Sequence, residues 1–193
     1  FVRSDYMNKV AQLIERDKKK LATIISLETG KNYNESIAEV NEALHMAQFA
    51  FGSGRYSHGE AVSSEIQEKD SYMLRKPKGV IAIVTPFNFP LAIGMFWNAA
   101  PALVEGNTIV IKPSEDAPMS TQAAVEIYAE AGIPRGVINL VHGDGATGDL
   151  LVRGDCDHVC FTGSADVGQH IRKVAAESWH KTTSCELGSK SAC

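Results

Sequence analysis

The chain has 193 residues, 44% hydrophobic and 22% charged, with a net charge of −4. This composition excludes a largely disordered chain, and the lack of a long basic run argues against nucleic acid or an anionic membrane as partner. The most apolar stretch, Leu91–Leu103, is too short for a membrane span and is broken by Asn98 and Pro101. Arg3, Asp5 and Lys9 lie in a helical pattern that fits no signal peptide. All four cysteines (Cys156, Cys160, Cys185 and Cys193) fall in the last fifth of the chain. They read as reduced thiols rather than a disulfide scaffold, and no second ligand pair completes a zinc site. The cytoplasm is therefore the expected compartment, and the sequon at Asn34 a chance match. The start at Phe1 and the end at Cys193, straight after a strand-like run, read as cut rather than natural ends.

In chain order, Val10, Leu13, Ile14, Leu21, Ile24 and Ile25 recur at helical spacing and predict a helix over 6–29, stopped at Gly30. A second helix is expected after Asn34 as N-cap, with the stripe Ile37, Val40, Leu44, Ala47 and Phe51. Residues 52–64 read as a loop, and 65–76 as an extended excursion that a hairpin arm would explain. Beyond Lys78 strand-like runs alternate with helical segments. Strands are expected over 79–85, 107–112, 137–142, 158–162 and 182–187. Helices are expected over 91–105 (kinked at Pro101), 118–131, 145–152 and 165–176. This rhythm predicts an α/β fold: a mostly parallel five-stranded sheet with helices on both faces. Ligands of such sheets bind beyond the carboxyl ends of the strands, so the residues just after each strand are the candidates.

The first strand runs into Thr85-Pro86-Phe87-Asn88-Phe89-Pro90. Asn88 offers an uncharged amide donor suited to an oxyanion, or it caps the following helix. The second strand ends in Lys112-Pro113-Ser114-Glu115. Lys112 and Glu115 suit the hydroxyls of a ribose, or form an exposed charge pair. The third ends in Gly143-Asp144-Gly145-Ala146-Thr147-Gly148, a G-x-G-x-x-G match in the wrong place, because the usual fingerprint follows the first strand of its unit. A tight turn explains these glycines equally well. The fourth ends in Phe161-Thr162-Gly163-Ser164, where Ser164 opens a helix as phosphate ligand, N-cap or both. The fifth ends in Cys185-Glu186-Leu187-Gly188-Ser189-Lys190. Apolar surroundings there would desolvate Glu186 and raise its pKa into the range of a general base; a salt bridge to Lys190 is the alternative.

Five motifs in this order resemble the aldehyde dehydrogenase superfamily, most closely from Leu74 to Ala192. The resemblance implies a Rossmann-like sheet, with 1–64 packing on the cofactor domain, 65–78 as an oligomerisation arm and 79–193 as an incomplete NAD-binding domain. It implies NAD-dependent oxidation of an aldehyde or semialdehyde through a cysteine thiohemiacetal and thioester, with NADP as an alternative cofactor. Asn88 would hold the oxyanion and Glu186 activate the deacylating water. Thr85, Pro86, Phe87, Lys112, Ser114, Glu115, Gly143, Gly145, Phe161, Thr162, Gly163, Ser164 and Val167 would bind the cofactor, with Leu187 and Gly188 near the nicotinamide. Glu115 favours NAD, because a carboxylate there repels a 2′-phosphate. The family's nucleophile lies downstream in a separate catalytic domain, so Cys185 and Cys193 are not expected to serve, and the chain alone is expected to be inactive. Full-length relatives imply dimers or tetramers. A non-catalytic nucleotide-binding or oligomerisation module is the alternative. Ser189 stands where the family has a second glycine; a glycine required there for positive φ would make Ser189 disruptive.

Overall fold

The computed structural model describes residues 1–56 and 59–190. Two long helices open the chain, α1 (Val2–Thr29) and α2 (Tyr33–Ser53). Gly30 ends α1 in the left-handed conformation at φ 73°, as its lack of a Cβ allows. The cap of α2 is Asn32, two residues before the expected one; its side chain accepts the Asn34 N–H at 2.9 Å. A two-stranded antiparallel hairpin follows, β1 (Gly59–Val62) with β2 (Ser71–Leu74). Its first strand lies in the stretch read as loop. All four residues of β1 are exposed, so no buried face imposes the apolar alternation that marks a strand.

The remaining chain builds one parallel sheet in the order β5-β4-β3-β6-β7. Its strands are β3 (Val80–Val84), β4 (Thr108–Lys112), β5 (Ile138–Leu140), β6 (His158–Gly163) and β7 (Thr182–Leu187). Between them run α3 (Ala100–Val104), α4 (Pro118–Glu130), α5 (Gly145–Arg153) and α6 (Ala165–Ala175). Ile81, Ile83, Ile109 and Ile111 on one face pack with α1, α2, α3 and α4 in the main core. Ala82, Val159 and Phe161 on the other face pack with Val152 of α5 and Ile171 and Val174 of α6. The crossovers change face where the chain leaves β5 for β6, which lies beside β3. The carboxyl ends of β3 and β6 therefore flank the switch point, where neighbouring crossovers leave in opposite directions and open a crevice.

The segment after β3 departs from the expected kinked helix. It is a π-helix over Ile93–Ala99 that passes directly into α3. The wide turn precedes Pro101, which has no N–H to return to the preceding carbonyls. Two side chains take up carbonyls of this turn: Asn98 Nδ2 donates to Ile93 O at 3.0 Å and the Tyr128 hydroxyl to Met95 O at 2.6 Å. Gly94 makes the approach of this helix to the sheet feasible, since a Cβ there would sit 2.2 Å from Thr85 Cγ2.

Candidate functional site

Two clefts open at the switch point. The first, about 610 Å³, lies between the carboxyl ends of the strands and the helices α5 and α6. Thr85, Pro86 and Phe87 reach it from β3, Lys112, Ser114 and Glu115 from β4, and Phe161, Thr162, Gly163 and Ser164 from β6, with Gly145 and Val167 from the helices. The second, about 830 Å³, gathers Asn88, Glu186, Leu187 and Gly188 with Trp97 and Asn98 of the π-helix. Pro86, Phe87, Thr162, Gly163 and Ser164 line both, so a ligand in one cleft reaches the other across this shared wall.

Lys112 is buried, not half of an exposed pair. Its Nζ donates to Pro113 O and Gly143 O, each at 2.6 Å, and lies 3.5 Å from Glu115 Oε2. Two of three ammonium donors are thus held by backbone, which fixes the charge at the cleft wall. Gly143 contributes through that carbonyl and is not itself on the wall of the first cleft. Its φ of 150° and a Cβ position 2.1 Å from Thr147 Oγ1 require glycine. Asp144 then caps α5, accepting from Ala146 N at 3.0 Å and Thr147 N at 3.4 Å. The glycine pattern of this segment thus has a turn-and-cap explanation. Ser164 caps α6 by accepting the Val167 N–H at 3.4 Å. The Thr85 hydroxyl, on the wall of the first cleft, is the one buried side-chain polar atom without a partner among the described residues. A fixed ammonium, an exposed carboxylate beside it, a helix N-terminus and an orphaned hydroxyl fit a ligand with ribose hydroxyls and phosphates.

Asn88 does not cap the helix that follows it. The Leu91 and Ala92 N–H groups donate instead to Glu39 Oε1 of α2, at 2.9 and 3.2 Å. Asn88 is exposed at the cleft, and its amide has no hydrogen bond among the described residues. Glu186 is exposed rather than desolvated. β7 is the last strand of the sheet, and Thr182, Ser184 and Glu186 share a face that no described helix covers, so water reaches the carboxylate. No ion pair joins Glu186 to Lys190 among the described residues. Ser189 imposes no strain, since no described non-glycine residue has positive φ.

The strand-end rule left out residues carried by helices. Gly148, Asp149 and Val152 of α5 and His170 and Ile171 of α6 line the first cleft. Their i, i+3, i+4 spacing, shared with Gly145 and Val167, is a helix face and was open to recognition. Asp149 is bridged to His170 Nε2 at 2.6 Å and to Arg153 Nε at 2.7 Å, and these hydrogen bonds, His170 first, hold its carboxyl below the usual range. Trp97 and Asn98 line the second cleft for a reason that no sequence periodicity shows, the π turn.

The described cysteines are not disulfide-bonded, and none lines either cleft. Burial pushes the Cys156 thiol up, and pushes Cys160 up to about 11, with Cys185 adding to the latter. Cys193 lies outside the described residues. No cluster of three metal-ligating side chains occurs among the described residues, and no described helix is long and apolar enough to cross a membrane.

Comparison with known proteins agrees with this geometry. Betaine aldehyde dehydrogenase of Bacillus subtilis is 42% identical over 190 residues, which are 97% of this chain and 38% of that protein. A 2,5-dioxopentanoate dehydrogenase of Saccharolobus solfataricus is 36% identical, covering 98% of this chain and 40% of its own length. The crystal structure of betaine aldehyde dehydrogenase from Staphylococcus aureus in complex with NAD+ superposes with a TM-score of 0.92 at 34% identity, over 97% of this chain and 37% of that one. The chain thus spans about two fifths of the length of these relatives. The aldehyde dehydrogenase family profile matches residues 2–193, and the chain belongs to that family.

Proposed function

We propose that this chain forms the cofactor-binding part, residues 79–193, and its N-terminal support, residues 1–64, of an NAD-dependent aldehyde dehydrogenase. The carrying observation is the shared wall: Pro86, Phe87 and Thr162–Ser164 separate a ribose- and phosphate-suited cleft from one that holds an amide donor and a carboxylate. Bound across that wall, NAD would accept hydride from the substrate carbon. Lys112 and Glu115 hold the adenosine ribose, with Ser114 and Gly145 beside them. The Ser164 end of α6 takes the pyrophosphate, while Thr85, Phe161 and Val167 shape the pocket. Leu187 and Gly188 place the nicotinamide. Asn88 donates to the oxyanion formed when a thiolate adds to the aldehyde. Glu186 takes a proton from the water that releases the acid.

None of the described cysteines suits the nucleophile, because none lines either cleft, and Cys160, titrating near 11, is in addition scarcely ionised at neutral pH. The thiolate comes from elsewhere than Cys156, Cys160 or Cys185, and the chain by itself turns over no aldehyde. The exposed side chains Tyr72, Met73 and Leu74 of the hairpin support residues 65–78, with β1, as a surface for self-association to dimers or tetramers. Reduced cysteines support a cytoplasmic location. Titration calorimetry tests the reading: NAD and ADP-ribose should bind saturably, Lys112→Met should weaken both, and NADP should bind less well because of Glu115. A folded chain that binds neither NAD nor ADP-ribose sinks it.

A further inference from the structure

Glu39 is a carboxylate whose side chain has no solvent exposure. Removing a charge from water costs several kcal/mol unless hydrogen bonds compensate it. Among the described residues its partners come from two places, the exit of the Thr85–Pro90 loop and the turn between α1 and α2. Oε1 accepts the Leu91 and Ala92 N–H groups, the first free amides after Pro90. Oε2 accepts Lys31 Nζ at 2.6 Å, and the same ammonium lies 3.8 Å from the centroid of the Phe89 ring. Thr121 of α4 holds the Pro90 carbonyl with a buried hydrogen bond of 2.9 Å. A neutral cap would satisfy two amides without the cost of a buried charge. What the charge adds is Lys31, and through it the Phe89 ring.

We propose that Glu39, with Lys31, is a positioning residue for the oxyanion amide: the pair clamps Phe89 and the exit of the loop so that Asn88, one residue before Phe89, is presented in a fixed orientation. The proposal rests on the reading of Asn88 as the oxyanion donor. Among the described residues Asn88 has no hydrogen bond to hold it, so its orientation depends on its neighbours. The anchor comes from α2, 49 positions earlier in the sequence, which makes the N-terminal helices part of the site's geometry.

The test compares Glu39→Ala, Glu39→Gln and Asn88→Ala in the purified chain. It uses amide hydrogen exchange, 15N relaxation of the Asn88 side-chain amide, and calorimetry with ADP. Glu39→Ala should speed exchange at Leu91 and Ala92 by about ten- to a hundredfold, the factor implied by losing hydrogen bonds to a charged acceptor. It should also loosen the Asn88 amide while leaving ADP affinity unchanged, because the adenosine cleft lies beyond the shared wall. Glu39→Gln keeps an acceptor for the amides but not the ion pair. It should restore protection at Leu91 and Ala92 and leave Asn88 loosened. Asn88→Ala should leave that protection intact, so failure of the clamp is separable from failure of the Asn88 reading. Unchanged Asn88 relaxation in Glu39→Gln, or loss of ADP binding in step with loop protection, would overturn the proposal. If Glu39→Ala does not fold, the glutamine variant alone decides.

Discussion

Cys160 and His158 sit two residues apart on β6, and burial acts on them with opposite signs. Cys160 is pushed up to about 11, since burial disfavours the thiolate. Its reaction with iodoacetamide at neutral pH should therefore be far slower than that of a free thiol, rising only as pH approaches the shifted value. Mass-spectrometric labelling of the native chain checks this, and prompt labelling at Cys160 would contradict the assigned environment. His158 lies between two hydroxyls, with Nδ1 2.6 Å from Thr182 Oγ1 and Nε2 3.1 Å from Ser184 Oγ. Burial lowers its pKa, and Lys78 adds to the effect. The unfolded chain then binds a proton at a higher pH than the folded one. The stability that His158 contributes is whole above the ordinary value of about 6.5 and is lost as pH falls through it. Urea midpoints measured from about pH 7 to pH 5 should decline, and His158→Gln should flatten that decline.

Among elements, what the sequence showed depended on whether a pattern had a buried face behind it. The strands β3 to β6 and the helices α4, α5 and α6 were legible because each of these strands holds an apolar run bounded by turns and each helix has one apolar stripe, whereas β7 is Thr182-Thr183-Ser184-Cys185-Glu186-Leu187 with no fully buried residue. Their ends named most of the first cleft, because a doubly wound sheet presents its carboxyl edge to the ligand. β1 was not legible, having no buried residue. The π-helix was not legible because its segment is apolar on all sides, and such a run does not distinguish a wide turn from an ordinary one. Nor was the environment of Glu186, which depends on β7 being an edge strand rather than on the residues beside it. The cap of Leu91 escaped because its donor and acceptor are 52 residues apart. The π segment carries its own prediction at Gly94. Alanine there meets Thr85 Cγ2 at 2.2 Å and Ile111 Cδ1 at 2.9 Å. Such overpacking should cost about 1–3 kcal/mol in denaturant unfolding, and should shift the fluorescence of Trp97, which rides on the same turn. A neutral Gly94→Ala would mean that the helix is free to move off the sheet.

At the scale of the molecule, the N-terminal helices and the sheet share one core. Ile14 and Ile25 of α1, Val40 and Ala47 of α2, Phe96 of the π-helix and Ile111 of β4 are all fully buried in the same cluster. Tyr128 of α4 stacks on Phe96 with ring centroids 5.6 Å apart, and burial alone pushes its phenol far above the ordinary value, so it stays a neutral donor to Met95 O. With such continuity, α1 and α2 have no core apart from this face of the sheet to lose on their own, while the other face packs separately against α5 and α6. Ile14→Ala therefore tests more than α1. Truncating a fully buried isoleucine typically costs about 2–5 kcal/mol. If the core is one cooperative unit, circular dichroism, which follows α1 and α2 most strongly, and Trp97 fluorescence, which reports the cleft, should shift together to lower denaturant. Two separated transitions, with the Trp97 signal unmoved, would mean that the helices unfold without the sheet. In that case the clamp between α2 and the Asn88 loop would have no fixed base from which to act.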